Sequence, residues 1–294
     1  MLPHPGREKG SLGPWVIIRL HTPQSSRYLL DIWPKTGILR NMRIALFADY
    51  HGGDRVWPLL EEALEDQGID LIAFAGDILE SEEREALWRK VYSTGKSLSK
   101  SEQTEDENVV DELRYREFFV NLTGFGVPVV FVPGHIDSPT SRLDEAVSGF
   151  PDVHNVQKGP FEFSDYTIVG RGGAVGPVDA DSTFYSSKTT TFKKHFSKAF
   201  DFPPEKTILL VHNPPVSRVA VGQNSNEELG AEILNRIIEK NKPAYCFCGH
   251  AHASPGQDSI ASTIVVNPGP MFRGRYAIID AENHRVLFPT PLKV

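Results

Sequence analysis

Five apolar runs in this chain each end in side chains able to hold a divalent cation. The run 44–48 leads into Asp49 and His51. The run 69–75 leads into Gly76-Asp77, and the run 127–132 into Pro133-Gly134-His135-Ile136-Asp137. The run 207–211 ends at His212, and the run 244–248 at Gly249-His250-Ala251-His252. One Asp-x-His after a strand is ordinary turn polarity. Repetition at five ends is not expected by chance, because ligands in α/β proteins gather where the carboxyl ends of strands converge. Asp49 and His51 are two residues apart, so on extended backbone both face the same side. A mixed Asp/His set suits Mn, Fe, Zn or Co better than Ca or Mg alone.

The pattern of elements fits that chemistry. Val56, Leu59, Leu60, Ala63 and Leu64 recur at helical spacing, with Glu61, Glu62, Glu65 and Asp66 opposite and Gly68 as a stop. A helix through Leu113, Phe118, Phe119 and Leu122 precedes the third run. Strand-like pieces follow near 153–156, 160–163 and 166–170, then a helix around 190–200. A further amphipathic helix carries Leu229, Ile233, Leu234, Ile237 and Ile238. Short strands at 263–267, 275–280 and 284–288 close the chain. Alternating elements followed by hairpin-like strands predict a mixed sandwich with helices outside. Residues 80–108 are charged and Ser/Thr-rich, and part of them reads as a surface loop, a lid over substrate being the alternative. The Gly-rich segment 170–176 fits neither dinucleotide nor P-loop patterns and is read as a turn passing close to another element.

With 294 residues and 40% hydrophobic content there is ample material for a core. The net charge of −7 argues against a general nucleic-acid surface. Bound cations can still draw phosphate locally. Cys246 and Cys248 are the two cysteines, too few for a disulfide framework; they are expected to pack, in a reduced cytoplasmic setting. No apolar run approaches the ~18 residues that span a bilayer. Residues 1–41 carry a net +4 and five prolines, against −11 for the remainder. They are expected to be a disordered or non-native extension before Met42, with a transit peptide as the alternative, and 42–294 is expected to be one domain.

Taken together, Asp49-x-His51, Gly76-Asp77, Pro133-Gly134-x-x-Asp137, His212 and Gly249-His250-x-His252 resemble the calcineurin-like metallophosphoesterases. Asn267-Pro268-Gly269 is similar to a segment of small prokaryotic members. The resemblance implies a four-layer α-β-β-α sandwich of two mixed sheets flanked by helices. It also implies two divalent metal ions. Asp49, His51 and His252 would hold the first, Asp77 would bridge, and His212 and His250 would hold the second. A water shared between the cations would attack a phosphoester, most readily a phosphodiester.

The third block departs from the family. Where the family usually reads Gly-Asn-His-Asp or Gly-Asn-His-Glu, this chain has Gly134-His135-Ile136-Asp137. Aligned without a gap, His135 takes the place of the ligand Asn, and Ile136 that of the His that protonates the leaving group. In another register His135 is the proton donor and the second metal is one ligand short. The catalytic set expected is therefore Asp77, His135 and Asp137, the last orienting a histidine rather than binding metal. Arg171, Arg273 and Arg275 could clamp phosphate, though solvated arginines are commoner. His154, His195 and His284 stand alone and are read as structural or exposed. The substrate is expected to be a small phosphorylated molecule, with no membrane partner and nucleic acid disfavoured; a homo-oligomer is compatible with the sequence. The competing reading, prompted by Ile136, is a catalytically weak binding or scaffold module.

Overall fold

The computed structural model describes residues 41–98, 108–137, 140–179, 184–198, 200–224 and 227–294. The extension before Met42 lies outside them except for Asn41, as does the 99–107 part of the charged segment.

Two six-stranded sheets lie face to face. In the first, β1 (Arg43–Phe47), β2 (Leu71–Phe74), β3 (Val129–Phe131) and β4 (Val153–Asn155) run parallel. The antiparallel β13 (Ala277–Asp280) and β14 (Arg285–Leu287) extend the β1 edge. In the second sheet β6 (Tyr166–Arg171), β9 (Thr207–Val211), β10 (Tyr245–Phe247) and β12 (Thr263–Asn267) are parallel. There β5 (Phe161–Phe163) and β11 (Gly256–Ile260) form antiparallel edges. A small pair, β7 (Ala174–Val175) and β8 (Ser186–Ser187), lies outside both sheets.

The central parallel strands β1, β2, β3, β9 and β10 are buried almost throughout, which is why they read as apolar runs, whereas the edge strand β4, Val-His-Asn, is only partly buried. Their alternation divides three cores. Ile44, Leu46, Ala73 and Val130 face Ile168, Leu210, Phe247 and Val266 between the sheets. On the outer face of the first sheet, Ala45, Phe47, Phe74 and Phe131 meet Trp57 and Leu60 of α1 (Trp57–Leu64), Phe118 and Phe119 of α3 (Asn108–Thr123) and Leu143 of α4 (Thr140–Val147). On the outer face of the second, Val169, Leu209 and Val265 meet Phe192 of α5 (Thr189–His195) and Ile233, Leu234, Ile237 and Ile238 of α6 (Glu232–Asn241). The expected α-β-β-α layering follows from this partition. Cys246 and Cys248 are free, fully buried and part of that last core.

The charged segment is more ordered than a loop over its first half. Residues Glu82–Thr94 form α2, capped by Ser81, whose Oγ accepts from Arg84 N at 3.2 Å, and stopped by Gly95 in the left-handed region. Arg84, Trp88 and Val91 face inward. Trp88 and Val91 pack with Ala174, Val178 and Phe184 in a small separate cluster. Arg84 and Arg142 both bind the buried Asp111 carboxylate, tying α2 to α3 and α4. Buried charges are tolerated when paired in this way. Among the described residues no helix is long and apolar enough to cross a membrane.

Candidate metal centre

The candidate ligands lie beyond the strand ends, on loops rather than on extended backbone. Asp49 (φ 56°), His51 (φ 45°), Asp77 (φ 63°) and His250 (φ 67°) all occupy the left-handed region. The expectation that Asp49 and His51 share a strand face is therefore corrected: a tight turn brings them together. Sterically costly backbone of this kind persists where surrounding bonds over-determine it. Here the bonds are visible. Asp49 N donates to Gly76 O at 2.8 Å, and Tyr50 N and His51 N both donate to Asp77 O, at 2.8 and 3.2 Å. The His250 amide donates to Asp49 Oδ1 at 3.0 Å, which joins the loops of the two sheets.

Two groups result. Asp77, His135, His212 and His250 form one, and Asp49, His51 and His252 the other; within each, candidate ligand atoms lie within 4.8 Å of one another. Asp77 faces both. Its Oδ2 is 2.9 Å from His135 Nδ1, 3.3 Å from His212 Nε2 and 3.7 Å from His51 Nε2. His51 Nε2 is 3.3 Å from His252 Nε2, which is 3.5 Å from Asp49 Oδ1. Ring orientation is fixed from behind. His51 Nδ1 lies 3.0 Å from Leu79 O and His212 Nδ1 2.8 Å from Ala75 O, so in each case Nδ1 donates and Nε2 is left as the inward acceptor.

Two buried atoms of the first group, Asp77 Oδ2 and His250 Nδ1, have no hydrogen bond of acceptable geometry. Such atoms typically cost ~1–3 kcal/mol each when left unsatisfied. A cation between them would satisfy both, and the Asp/His donor set suits a divalent transition metal. The residues therefore fit metal ions.

The protonation states express the same crowding. Burial raises the Asp77 carboxyl, but His135 and His212 outweigh it and hold the group well below the usual carboxylate range. Burial likewise raises Asp49, and His252 beside it more than compensates, so its net shift is downward. Burial and the charges of His135 and His212 push His250 far down, keeping it a neutral imidazole. Burial also opposes charge on His135, yet Asp77 and Glu85 raise it to about 10.

This fixes an expected pH dependence. A group raised from 6.5 to about 10 on folding stabilises the metal-free protein fully below pH 6.5, and that contribution is lost as pH rises through about 10. A metal at Nδ1 must displace that proton. Apparent metal affinity should therefore climb with pH over this window, by up to about tenfold per unit for each proton released. Calorimetric titration with Mn²⁺ in buffers of different ionisation enthalpy reads the proton directly.

Asp137 is placed differently from its expected role. Among the described residues its hydrogen bonds go to main-chain amides and not to a histidine. Its Oδ2 accepts from Asp77 N (2.9 Å) and Gly134 N (2.7 Å), and its Oδ1 from Ile78 N (2.9 Å) and Leu79 N (3.1 Å). It joins the β2 and β3 loops and does not orient a ligand ring. Gly134 is required at this contact, since a Cβ there would lie 2.0 Å from Asp77 N and Oδ1. The close-passing turn expected at 170–176 is also present: a Cβ on Gly172 would lie 2.2 Å from Pro133 O. Ile136 is buried, and its amide donates to Asp77 Oδ1 at 3.1 Å.

Asn267 is structural. Its Nδ2 donates to Ala251 O and Val219 O, and its Oδ1 accepts from Gly269 N. Arg171 bonds Ser187 and lies over the Phe192 ring, while Arg273 lies over Phe272. His154 stacks on Phe161, His195 lies 2.9 Å from Gly170 O and His284 stacks on Tyr245; none joins the cluster. Sequence reasoning missed Glu85 of α2, whose Oε2 is 2.8 Å from His135 Nε2. It also missed Phe272, whose ring meets His51 and His252 edge-on, with centroids 5.5 and 5.6 Å away.

A sequence model described as metallophosphoesterase, calcineurin superfamily, matches residues 39–290. The chain belongs to that superfamily. An uncharacterized Methanocaldococcus jannaschii protein, MJ1162, is 28% identical over 165 residues, covering 54% of this chain and 70% of the relative. The crystal structure of TT1561 from Thermus thermophilus superposes with a TM-score of 0.64 at 17% identity, covering 86% of this chain and 100% of that one. A dimetal phosphatase from Danio rerio gives a TM-score of 0.52 at 10% identity, covering 81% and 91%. At these identities the structural likeness speaks for the fold alone. Membership in the superfamily rests on the sequence match, and the Asp/His groups make this calcineurin-like protein a candidate metal binder.

Proposed function

We propose that this metallophosphoesterase hydrolyses a small phosphorylated substrate at a dinuclear centre, a phosphodiester being the favoured class. The observation that carries the reading is Asp77 Oδ2, which lies within 3.7 Å of histidines from both groups. A single carboxylate oxygen so placed suits a bridge between cations ~3.5–4 Å apart. Asp49, His51 and His252 would hold one cation, and His135, His212 and His250 the other, with Asp77 shared. Bound divalent ions supply Lewis acidity toward phosphoryl oxygens and acidify water.

The chain's own residues shape access to that chemistry. The His51 and His252 side chains are 16% and 26% exposed, while Asp77 and His212 are fully buried. The His51/His252 side is therefore the more open approach for phosphate, while in the other group Asp77, His135 and His212 are buried and His250 is half-buried. Ile136 has no proton to give. General acid help is typically worth ~10²–10⁴-fold, so leaving groups that depart as stable anions are favoured.

The test is elemental analysis paired with a panel of esters. Two Mn²⁺ per chain and faster hydrolysis of nitrophenyl than of alkyl diesters are expected. The scaffold reading, which Ile136 favours, instead gives metal well below two ions and no turnover; that pair of results would remove the enzymatic proposal.

A further inference from the structure

The geometry points to Glu85 as a positioning residue of the metal centre, one that commits His135 to metal binding through Nδ1. The inference rests on the dinuclear reading and deepens it. His135 is enclosed on every side. Its Nδ1 faces Asp77 Oδ2 at 2.9 Å and His212 Nε2 at 3.1 Å. Its ring stacks on His212 and meets His250 and Trp88 edge-on, with centroids 5.2, 4.6 and 5.8 Å away. The remaining polar atom, Nε2, meets Glu85 Oε2 at 2.8 Å.

A carboxylate behind a ligating imidazole fixes the tautomer. The proton stays on Nε2, the lone pair is turned inward on Nδ1, and the ligand becomes more basic. With Nε2 occupied and Nδ1 turned into the cluster, neither nitrogen is free to protonate a leaving group. Of the two registers open for His135, the arrangement therefore selects the ligand.

Glu85 is delivered by the charged segment after β2, not by a sheet loop. It sits in the first turn of α2, three residues before Trp88, so both side chains project from one face onto the same imidazole. The helix is anchored independently, by Ser81 at its start, by Arg84 to Asp111, and by Val91 in the cluster with Phe184. Glu85 can thus be changed without removing what holds α2. Helix α2 consequently acts as an additional wall of the metal centre, and the histidine that replaces the family's asparagine comes with its own carboxylate support.

The test uses the full chain, loaded with Co²⁺ and followed by visible absorption and metal content. Wild type should take up two ions. Glu85→Ala should lower affinity for one of the two by ~10–100-fold and alter the d–d bands of that ion, with the other ion unchanged. Glu85→Gln keeps an amide oxygen able to accept from Nε2 and should recover most of the affinity, whereas a loss that reflected only helix docking would not be rescued. A second variant, Glu83→Gln in the same helical turn, should match wild type. Unchanged affinity and spectrum in Glu85→Ala, or equal loss in Glu85→Ala and Glu85→Gln, overturns the inference. Failure of wild type to bind two ions overturns the dinuclear reading instead, so the two failures are distinguishable.

Discussion

Asp77→Asn should leave a folded protein that binds at most one metal ion tightly and whose Mn²⁺-dependent diesterase activity falls by on the order of 10³-fold or more. Asparagine is the informative replacement. It keeps the shape of the side chain and tolerates the left-handed backbone at this position, where φ is 63°. The main-chain bonds of the loop, from Tyr50 N and His51 N to Asp77 O and from Asp77 N to Asp137, do not involve the side chain and should persist. What disappears is the negative charge that His135, His212 and His51 share. Without it, two cations so close together are no longer screened from each other. Atomic absorption and initial rates on the same preparation give both readings. An asparagine variant that retains two ions and near-wild-type turnover would end the case for a bridging carboxylate.

Asp137→Asn is expected to act chiefly through stability. The carboxylate accepts four main-chain N–H groups, and all of these bonds are buried. Burial and the Asp77 charge push its carboxyl up, while the amides of Gly134, Leu79 and Ile78 pull against them. An asparagine has one acceptor oxygen, and its NH₂ would point at donors. At least one pair of amides is then left without a partner, at ~1–3 kcal/mol each, so a loss of about 2–6 kcal/mol is expected. Against a typical ~5–15 kcal/mol of total stability that is a large fraction, readable by urea denaturation of the metal-free protein. A catalytic Asp137 would instead give normal unfolding with depressed kcat, and that outcome would return it to the reacting groups.

The chain's apolar runs, and the acidic and imidazole residues at their ends, predicted a mixed sandwich with helices outside and marked most of the candidate ligands; the four-layer form and the grouping of the ligands came from the family resemblance. The reason is physical. A parallel strand covered on both faces must be apolar throughout, so an Asp or His directly after such a run marks a loop at the carboxyl edge of the sheet. The packing of Cys246 and Cys248 followed from the same periodicity. The edge strand β11, Gly-Gln-Asp-Ser-Ile, escaped notice because a partly solvated edge carries no apolar run. The helix α2 had a readable signal in Ser81, Trp88, Val91 and Gly95, which the surrounding charges obscured.

Only the tertiary structure could decide how side chains far apart in sequence share atoms. Asp49 and His51 converge through left-handed turns rather than through strand alternation. Asp137 spends both oxygens on main-chain amides, three of them from another loop. Glu85 reaches His135 across 50 residues of chain. Periodicity reports which face of its own element a residue occupies. It carries no information about which loop from elsewhere will meet that face, because such meetings are set by the packing of whole layers.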